Sequence, residues 1–410
     1  MNMASSPKLK WDIFCNVVDN FGDIGVCWRL ACNLAARGKT VRLWTNDASP
    51  LAWMAPDGQA NIEVIECENG IPKDAGTAYK ARLDTLLDAV LDAVPDALPD
   101  VLVDTFDCEF AINLIAAQAI NTPASGTNST TLEHIRPVWL NLEYLTAESF
   151  AERAHTLPYV HRSGAAQGWT QRYFYPGFND KTGGLLREVD LFERQKAFDK
   201  TAWLAGLKFE VSDYSHSKSI KPTLLSSRLI SLFCYEPAAL ESLIDQLSNS
   251  ETPTCLLVTA GRATHAVRTV LEGKKRLEPA YLLPKQLSIL YLPQLTQTDY
   301  DHLLWCCDLN FVRGEDSLVR AIWATKPFIW QIYPQHDGVH LAKLGAFLAM
   351  MEAPASLKIA HQVWNSSANE ATFPDLELGI WAKSAQNLST KLRLQVDLAS
   401  SLIAFVEKNS

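Results

Sequence analysis

WDIFCNVVDNFGDIGVCWRLACNLAARGKTVRLWT, residues 11–45, is the stretch that decides the fold class. Trp11 to Val18 is rich in β-branched and aromatic residues and reads as a strand. Asp19 to Gly25 (DNFGDIG) breaks that pattern, Val26 to Ala36 follows with helical periodicity, and Gly38 stands where a helix C-terminal cap belongs. Val41 to Thr45 is a second strand. Strand, glycine-bearing turn, helix and strand make a βαβ unit, and its helical crossover implies a parallel sheet.

The alternation continues outward from there. Asp84 to Asp104 reads as a helix leading into a strand, Asn121 to Thr131 as a polar surface loop and Val138 to Leu142 as a strand. Tyr173 to Glu188 (YFYPGFNDKTGGLLRE) is dense in aromatics and glycine, like a shaped loop. The polar stretch Val211 to Thr223 is the best linker candidate, and the alternation restarts after it. Strands are predicted at Arg228–Cys234, Cys255–Val258, Leu287–Leu292, Leu309–Val312 and Phe328–Ile332. Helical pattern falls between them at Ala238–Leu247, Tyr300–Cys307 and Ala321–Trp323, and Trp381–Glu407 is predicted helical at the end. A chain of 410 residues exceeds what one core organises. Two α/β domains are therefore expected, at residues 1–210 and 211–385, followed by a helical segment at 386–410. Ligands of such sheets sit beyond the carboxyl ends of the strands.

Apolar residues make up 48% of the chain and charged residues 20%, as in a soluble globular protein. Thirty-seven basic residues against forty-six acidic ones give a formal charge of -9. That balance disfavours nucleic acid as a partner, because non-specific affinity for it comes from phosphate neutralisation. A phosphorylated small molecule needs only one well-placed arginine. Met1 to Lys10 has no apolar core, and no stretch approaches the roughly eighteen apolar residues of a membrane span, so a cytoplasmic location is expected. Nine cysteines without a CxxC pair read as reduced, buried thiols.

Asp19 and Asp23 flank a glycine turn at the end of the first strand, and Gly22 and Gly25 let the backbone approach a ligand. Two readings stay open for them: helix capping with turn chemistry, or paired carboxylates presented to a ligand. The turn lacks the third glycine and the spacing of GxGxxG, which disfavours a dinucleotide oxidoreductase. The second informative stretch is DLNFVRGEDS, residues 308–317. A strand ends at Val312, Arg313 and Gly314 turn the chain, and Glu315-Asp316-Ser317 open a helix. Helix N-termini bind anions, Arg313 adds a cation of fork geometry, and together they suit a diphosphate. Glu315 and Asp316 can accept from sugar hydroxyls or simply stabilise the helix start. Tyr235, Tyr300 and Tyr333 fall at predicted element ends, where each reads as a base-stacking aromatic or a core one. His336 and His340 (HDGVH) have metal-pair spacing without a third ligand, so no metal is expected.

WDIFCNVVDNFGDIGVCWRLA, VWLNLEYLTAE from Val138, YFYPGFNDKTGGLLRE, SLFCYE from Ser231, NFVRGEDS and WQIYPQHDGVHLAKLGAFL from Trp330 together resemble EarP, the elongation factor P arginine rhamnosyltransferase family. The resemblance implies a GT-B fold: two Rossmann-like domains facing across a cleft, with C-terminal helices packing back toward the N-terminal domain. It implies inverting, metal-independent transfer of L-rhamnose from dTDP-β-L-rhamnose to one arginine of elongation factor P, activating that factor for rescue of stalled ribosomes. No cofactor, nucleic-acid partner or membrane partner is implied. Catalytic roles fall on Asp19, Asp23 and Glu315. Donor contacts fall on Asn20, Phe21, Gly22, Tyr235, Gln294, Tyr300, Arg313, Gly314, Asp316, Ser317 and Tyr333. Leu256 to Gly261 (LLVTAG) departs from the family's LLVPxG, and no role is carried over from there. Two other function classes stand beside this one: a GT-B enzyme with another acceptor, and a non-catalytic nucleotide-binding module that leaves the acid pair without a task.

Overall fold

The computed structural model describes residues 9–18, 21–68, 71–72, 99–106, 108, 111–112, 136–164, 166–215, 224–334, 338–367 and 372–409. They divide into two compact units, Met1–Val189 with Gln395–Ser410, and Asp190–Leu394.

The first unit is built on β1 (Lys10–Cys15), β2 (Thr40–Thr45), β3 (Ile62–Glu68), β4 (Ile71–Pro72), β5 (Val101–Thr105), β6 (Val138–Leu142), β7 (Pro158–Val160) and β8 (Thr170–Phe174). Their order is β4-β3-β2-β1-β5-β6-β8-β7, antiparallel only at the β3–β4 and β7–β8 pairs. The order reverses between β1 and β5, the switch point of a doubly wound sheet. The helix Gly22–Ala36 crosses from β1 to β2, burying Ile24, Cys27, Leu30, Ala31 and Leu34 at helical spacing. It ends as predicted at Gly38, whose φ is +81°. Gly38 N donates to Ala35 O at 2.9 Å and Lys39 N to Leu34 O at 3.1 Å, a Schellman closure. Asp12 and Arg42, neighbours in the β1–β2 register, form a buried two-pronged ion pair at 2.6 and 2.5 Å.

The chain from Gln395 on belongs to this unit. Residues 378–409 form two helices, Leu378–Arg393 and Leu398–Asn409, where the sequence suggested one continuous stretch. Asp397 starts the second helix by accepting from Ser400 N at 3.0 Å. Leu398, Ala399, Leu402 and Val406 then enter the same core as Ile24, Leu30 and Phe174. The segment after β8 clasps this return: Leu398 N donates to Leu185 O at 3.0 Å and Gln395 Nε2 to Phe178 O at 2.7 Å. Gly184 has φ +76°, and a Cβ there would collide with the Val396 carbonyl oxygen. Gly184→Ala is expected to lose about 2 kcal/mol or more, from the left-handed backbone and the collision together. Gly273→Ala, mid-helix with open space around it, is expected to gain up to about 1 kcal/mol. Urea midpoints of the two variants check the contrast.

The second unit holds β9 (Glu210–Val211), β10 (Arg228–Leu232), β11 (Thr254–Val258), β12 (Leu287–Tyr291), β13 (Leu309–Arg313) and β14 (Phe328–Gln331). Their order is β14-β13-β10-β11-β12-β9, parallel except for β9, and it reverses between β10 and β13. The expected domain limits at 210 and 385 differ from these units, which divide at Val189 and Leu394. The helices Leu191–Ala197 and Lys200–Gly206 join the second unit because Leu204 and Leu207 bury among Leu229, Leu257, Leu290 and Leu303. Trp203 Nε1 also donates to Asp299 Oδ1 at 3.1 Å. The expected linker begins inside the sheet, since Val211 pairs with Leu290; its residues 216–223 lie outside the described ones, as do 84–98 and 121–131.

Among the described residues no helix is long and apolar enough to cross a membrane. All nine cysteines are free, seven of them buried. His361, fully buried on the helix Ala355–Trp364, hydrogen-bonds Leu357 O through Nδ1 at 2.9 Å. Burial pushes its pKa down to about 4. Between the ordinary value of 6.5 and about 4 the unfolded chain binds a proton that the folded one refuses, so stability is present above 6.5 and lost as pH falls. From pH 7 to pH 5 this group alone is expected to remove about 2 kcal/mol. Urea midpoints at the two pH values, compared with His361→Gln, check it: the variant's midpoint should move less.

Candidate active site

Each unit offers the carboxyl edge of its switch point. In the first, β1 runs out into residues 16–18. Asn46, just past β2, holds that exit, accepting from Val17 N at 2.7 Å and donating to Val17 O at 3.4 Å. Asp19 and Asn20 lie outside the described residues. Phe21 precedes the helix without capping it by side chain, and its ring meets Trp53 edge-on at 5.1 Å. Gly22 opens the helix, which makes Asp23 its second residue rather than its cap. Asp23 is 8% exposed, and its Oδ2 accepts from Val18 N at 3.1 Å. The carboxylate therefore closes the turn back onto the end of β1. Beneath it Thr105 donates to Phe14 O at 2.6 Å and meets Cys27 Sγ at 3.4 Å, tying β1, β5 and the helix together.

In the second unit, β13 delivers Arg313 to the sheet edge, where it precedes the helix Gly314–Ala324. Gly314, at φ +68°, makes the turn. The Arg313 guanidinium lies over both Phe233 and Tyr235, Cζ 4.5 Å from each ring centroid. Those rings come from the segment leaving β10, across the switch point. Two aromatic rings pack against the cation, a contact that suits a planar guanidinium. Tyr333, 48% exposed after β14, meets Tyr235 edge-on at 5.7 Å. Tyr300 meets Phe233 at 5.6 Å.

The main chain of this corner is fixed by side chains from elsewhere. Tyr235 N donates to Gln331 Oε1 at 2.8 Å, and Trp330 Nε1 donates to Gly314 O at 2.8 Å. Asn365 accepts from Ile332 N at 2.9 Å and donates to Trp330 O at 2.8 Å, clamping the end of β14. Ser317, 4% exposed, accepts from Arg313 N at 3.1 Å and donates to Arg313 O. Glu315 Oε1 receives Lys343 Nζ at 2.6 Å. Gln294 stands exposed, three residues past β12 on the same edge. The sequence singled out Tyr235, Tyr300, Arg313, Gly314 and Tyr333, and they gather in one corner. It missed Phe233, Trp330, Gln331, Lys343 and Asn365, of which only Phe233, an aromatic just past a strand in SLFCYE, carried a local signal. His340 lies in the first turn of the helix Val339–Met350, and His336 lies outside the described residues. Among the described residues no three His, Cys, Asp or Glu side chains gather as a metal site would require.

A chain with a doubly wound switch point in each half, an arginine leading into a helix at one and a buried acid at the other, can be compared with known proteins. Residues 11–407 match the family model of the Elongation-Factor P (EF-P) rhamnosyltransferase EarP. The chain belongs to the EarP family. The protein-arginine rhamnosyltransferase of Pseudomonas aeruginosa is 36% identical, over 97% of this chain and 98% of its own length. That of Pseudomonas putida is 35% identical over 97% and 98%. A solved structure described as the structural basis for EarP-mediated arginine glycosylation of translation elongation factor EF-P is 27% identical, with TM-score 0.57, covering 98% of this chain and all of that one. The chain thus has the GT-B glycosyltransferase fold of two Rossmann-like domains that its sequence suggested.

Proposed function

We propose that this chain is an inverting protein-arginine rhamnosyltransferase that moves L-rhamnose from dTDP-β-L-rhamnose to one arginine of elongation factor P, in the cytoplasm and without a metal. Membership of the EarP family supports the reaction class. The observation that carries the donor side is the Arg313 guanidinium, lying over Phe233 and Tyr235 at the mouth of a helix N-terminus. A diphosphate meets there the positive end of the helix and a cation with two parallel N–H donors. Glu315, Asp316 and Gln294 supply acceptors and donors for the sugar and base, Tyr235, Tyr300 and Tyr333 supply apolar faces, and Ser317 keeps the turn in shape.

The acceptor sets the chemical difficulty. A guanidinium has no free lone pair, and removing a proton from pKa near 13.8 at pH 7 costs roughly 9 kcal/mol. Proton loss therefore accompanies bond formation. The nitrogen bonds to the anomeric carbon, the carbon–oxygen bond to the phosphate breaks, its electrons stay on dTDP, and the nitrogen's proton passes to Asp23. Asp19 orients the arginine, and Arg313 with the helix terminus stabilises the charge that develops on dTDP.

The test is the intact mass of elongation factor P after incubation with this chain and dTDP-L-rhamnose, with and without EDTA. A gain of one deoxyhexose on a single arginine, unaffected by EDTA, is expected. No gain from folded chain that binds dTDP moves the reading to another acceptor or to a binding module. Loss of the gain on chelation removes the metal-independent part.

A further inference from the structure

Tyr235 carries a second cation. Arg262 lies over the same ring, Cζ 4.7 Å from its centroid, against 4.5 Å for Arg313. Arg262 opens the helix Arg262–Leu277, which follows β11, the parallel neighbour of β10. Gly261 precedes it at φ +86° and turns the chain back at that sheet edge. The Arg262 fork is occupied: Nε donates to Glu236 Oε1 at 2.9 Å and Nη2 donates to Oε2. Both partners are partly exposed, at 40% and 47%. Exposed pairs of this kind contribute little to folding, so the arrangement calls for another reason.

Charge supplies one. A nucleoside diphosphate sugar carries two negative charges, and the released diphosphate gains more. Arg313 answers one, and a helix terminus about half of another. Lys343 is engaged by Glu315. Carboxylate and phosphate present the same pair of acceptors to a guanidinium, so Glu236 occupies the place a phosphate would take.

We propose that Arg262 is a second diphosphate-binding residue, held in place by Glu236 until a nucleoside diphosphate arrives and takes over its fork. The proposal rests on the donor reading above and deepens it. It assigns the two phosphates to two cations that share one tyrosine. It also gives a task to the stretch around Gly261, where the sequence departs from its family's pattern.

Calorimetry on the full chain, with dTDP and dTMP as probes, tests it. Arg262→Ala is expected to weaken dTDP about tenfold or more and dTMP by less than about threefold, since only the second phosphate is lost. Glu236→Gln, which frees the fork of its competitor, is expected to tighten dTDP by about twofold to fivefold. Arg262→Gln keeps the stem over the ring and should behave like Arg262→Ala, which guards against a folding effect. Unchanged dTDP affinity in both arginine variants overturns the proposal. So does a Glu236→Gln variant as weak as Arg262→Ala, because the pair would then serve only to brace Tyr235. Arg313→Ala separates the two levels: if it spares dTDP, the donor reading itself fails, whereas Arg313-dependent binding that ignores Arg262 defeats only this inference.

Discussion

Arg313→Ala is expected to lower kcat/KM by about 10²–10³-fold and to weaken dTDP by about tenfold to a hundredfold. Arg313 is 9% exposed, and its guanidinium lies 4.5 Å from each of two ring centroids, so truncation leaves a largely buried position without its charge. In the ground state it meets a diphosphate ester, and as the sugar leaves, the bridging oxygen becomes a full anion. An interaction that strengthens along that path appears in kcat as well as in KM. Truncation also removes two cation–π contacts, worth about 1–2 kcal/mol together, so kinetics belong well below the variant's melting temperature. Arg313→Lys sharpens the point: it keeps the charge and loses the fork and the planar stacking, and should fall between wild type and alanine. Steady-state rates with calorimetry for dTDP check both variants. An alanine variant with unchanged dTDP affinity would remove Arg313 from the donor site.

The residues legible in the sequence are those whose signal is local. Parallel strands covered on both faces read as apolar runs, so β1, β2, β10, β11 and β13 stood out, and Gly38 marked a helix end through its own backbone requirement. Arg313-Gly314 stood out because a cation and a turn residue sit between a strand and a helix within one short stretch. Trp330, Gln331 and Asn365 did not, because their hydrogen bonds reach across 16, 96 and 35 residues of chain. Nothing in a periodic pattern says which polar group of β14 will reach a neighbouring strand. Arg262 was hidden likewise, its partner lying 26 residues away after another strand. The expected domain edge differs from the division of the compact units for a related reason. Lys200–Gly206 looks like the tail of what precedes it, and only the burial of Leu204 and Leu207 against the second sheet assigns it. The break before Leu398 has neither glycine nor proline to announce it. Asp397 makes it by capping, and an aspartate in an amphipathic run is also an ordinary exposed residue.

Asp23→Asn is expected to reduce turnover by about 10²–10⁴-fold while leaving dTDP affinity within about twofold. The substitution is nearly isosteric, and an amide oxygen can still accept the Val18 N–H that Asp23 Oδ2 accepts at 3.1 Å, so the turn after β1 should survive. What the amide cannot do is take a proton from an attacking guanidinium or draw its positive charge away from one nitrogen. Asp23→Ala loses both the chemistry and the hydrogen bond to Val18. Val18 is 77% exposed, so water can replace the lost acceptor and the added destabilisation should stay below about 1.5 kcal/mol. The two variants should therefore be similarly inactive and differ mainly in thermal stability, which separates a chemical role from a structural one. The diphosphate-binding groups, Arg313 and the helix it precedes, belong to the second unit and Asp23 to the first, so calorimetry with dTDP should not distinguish either variant from wild type. If Asp23→Asn rhamnosylates elongation factor P at near wild-type rate, as read by intact mass in a single-turnover course, Asp23 is not the base. The proton must then go elsewhere, with Asp19 the next residue to replace.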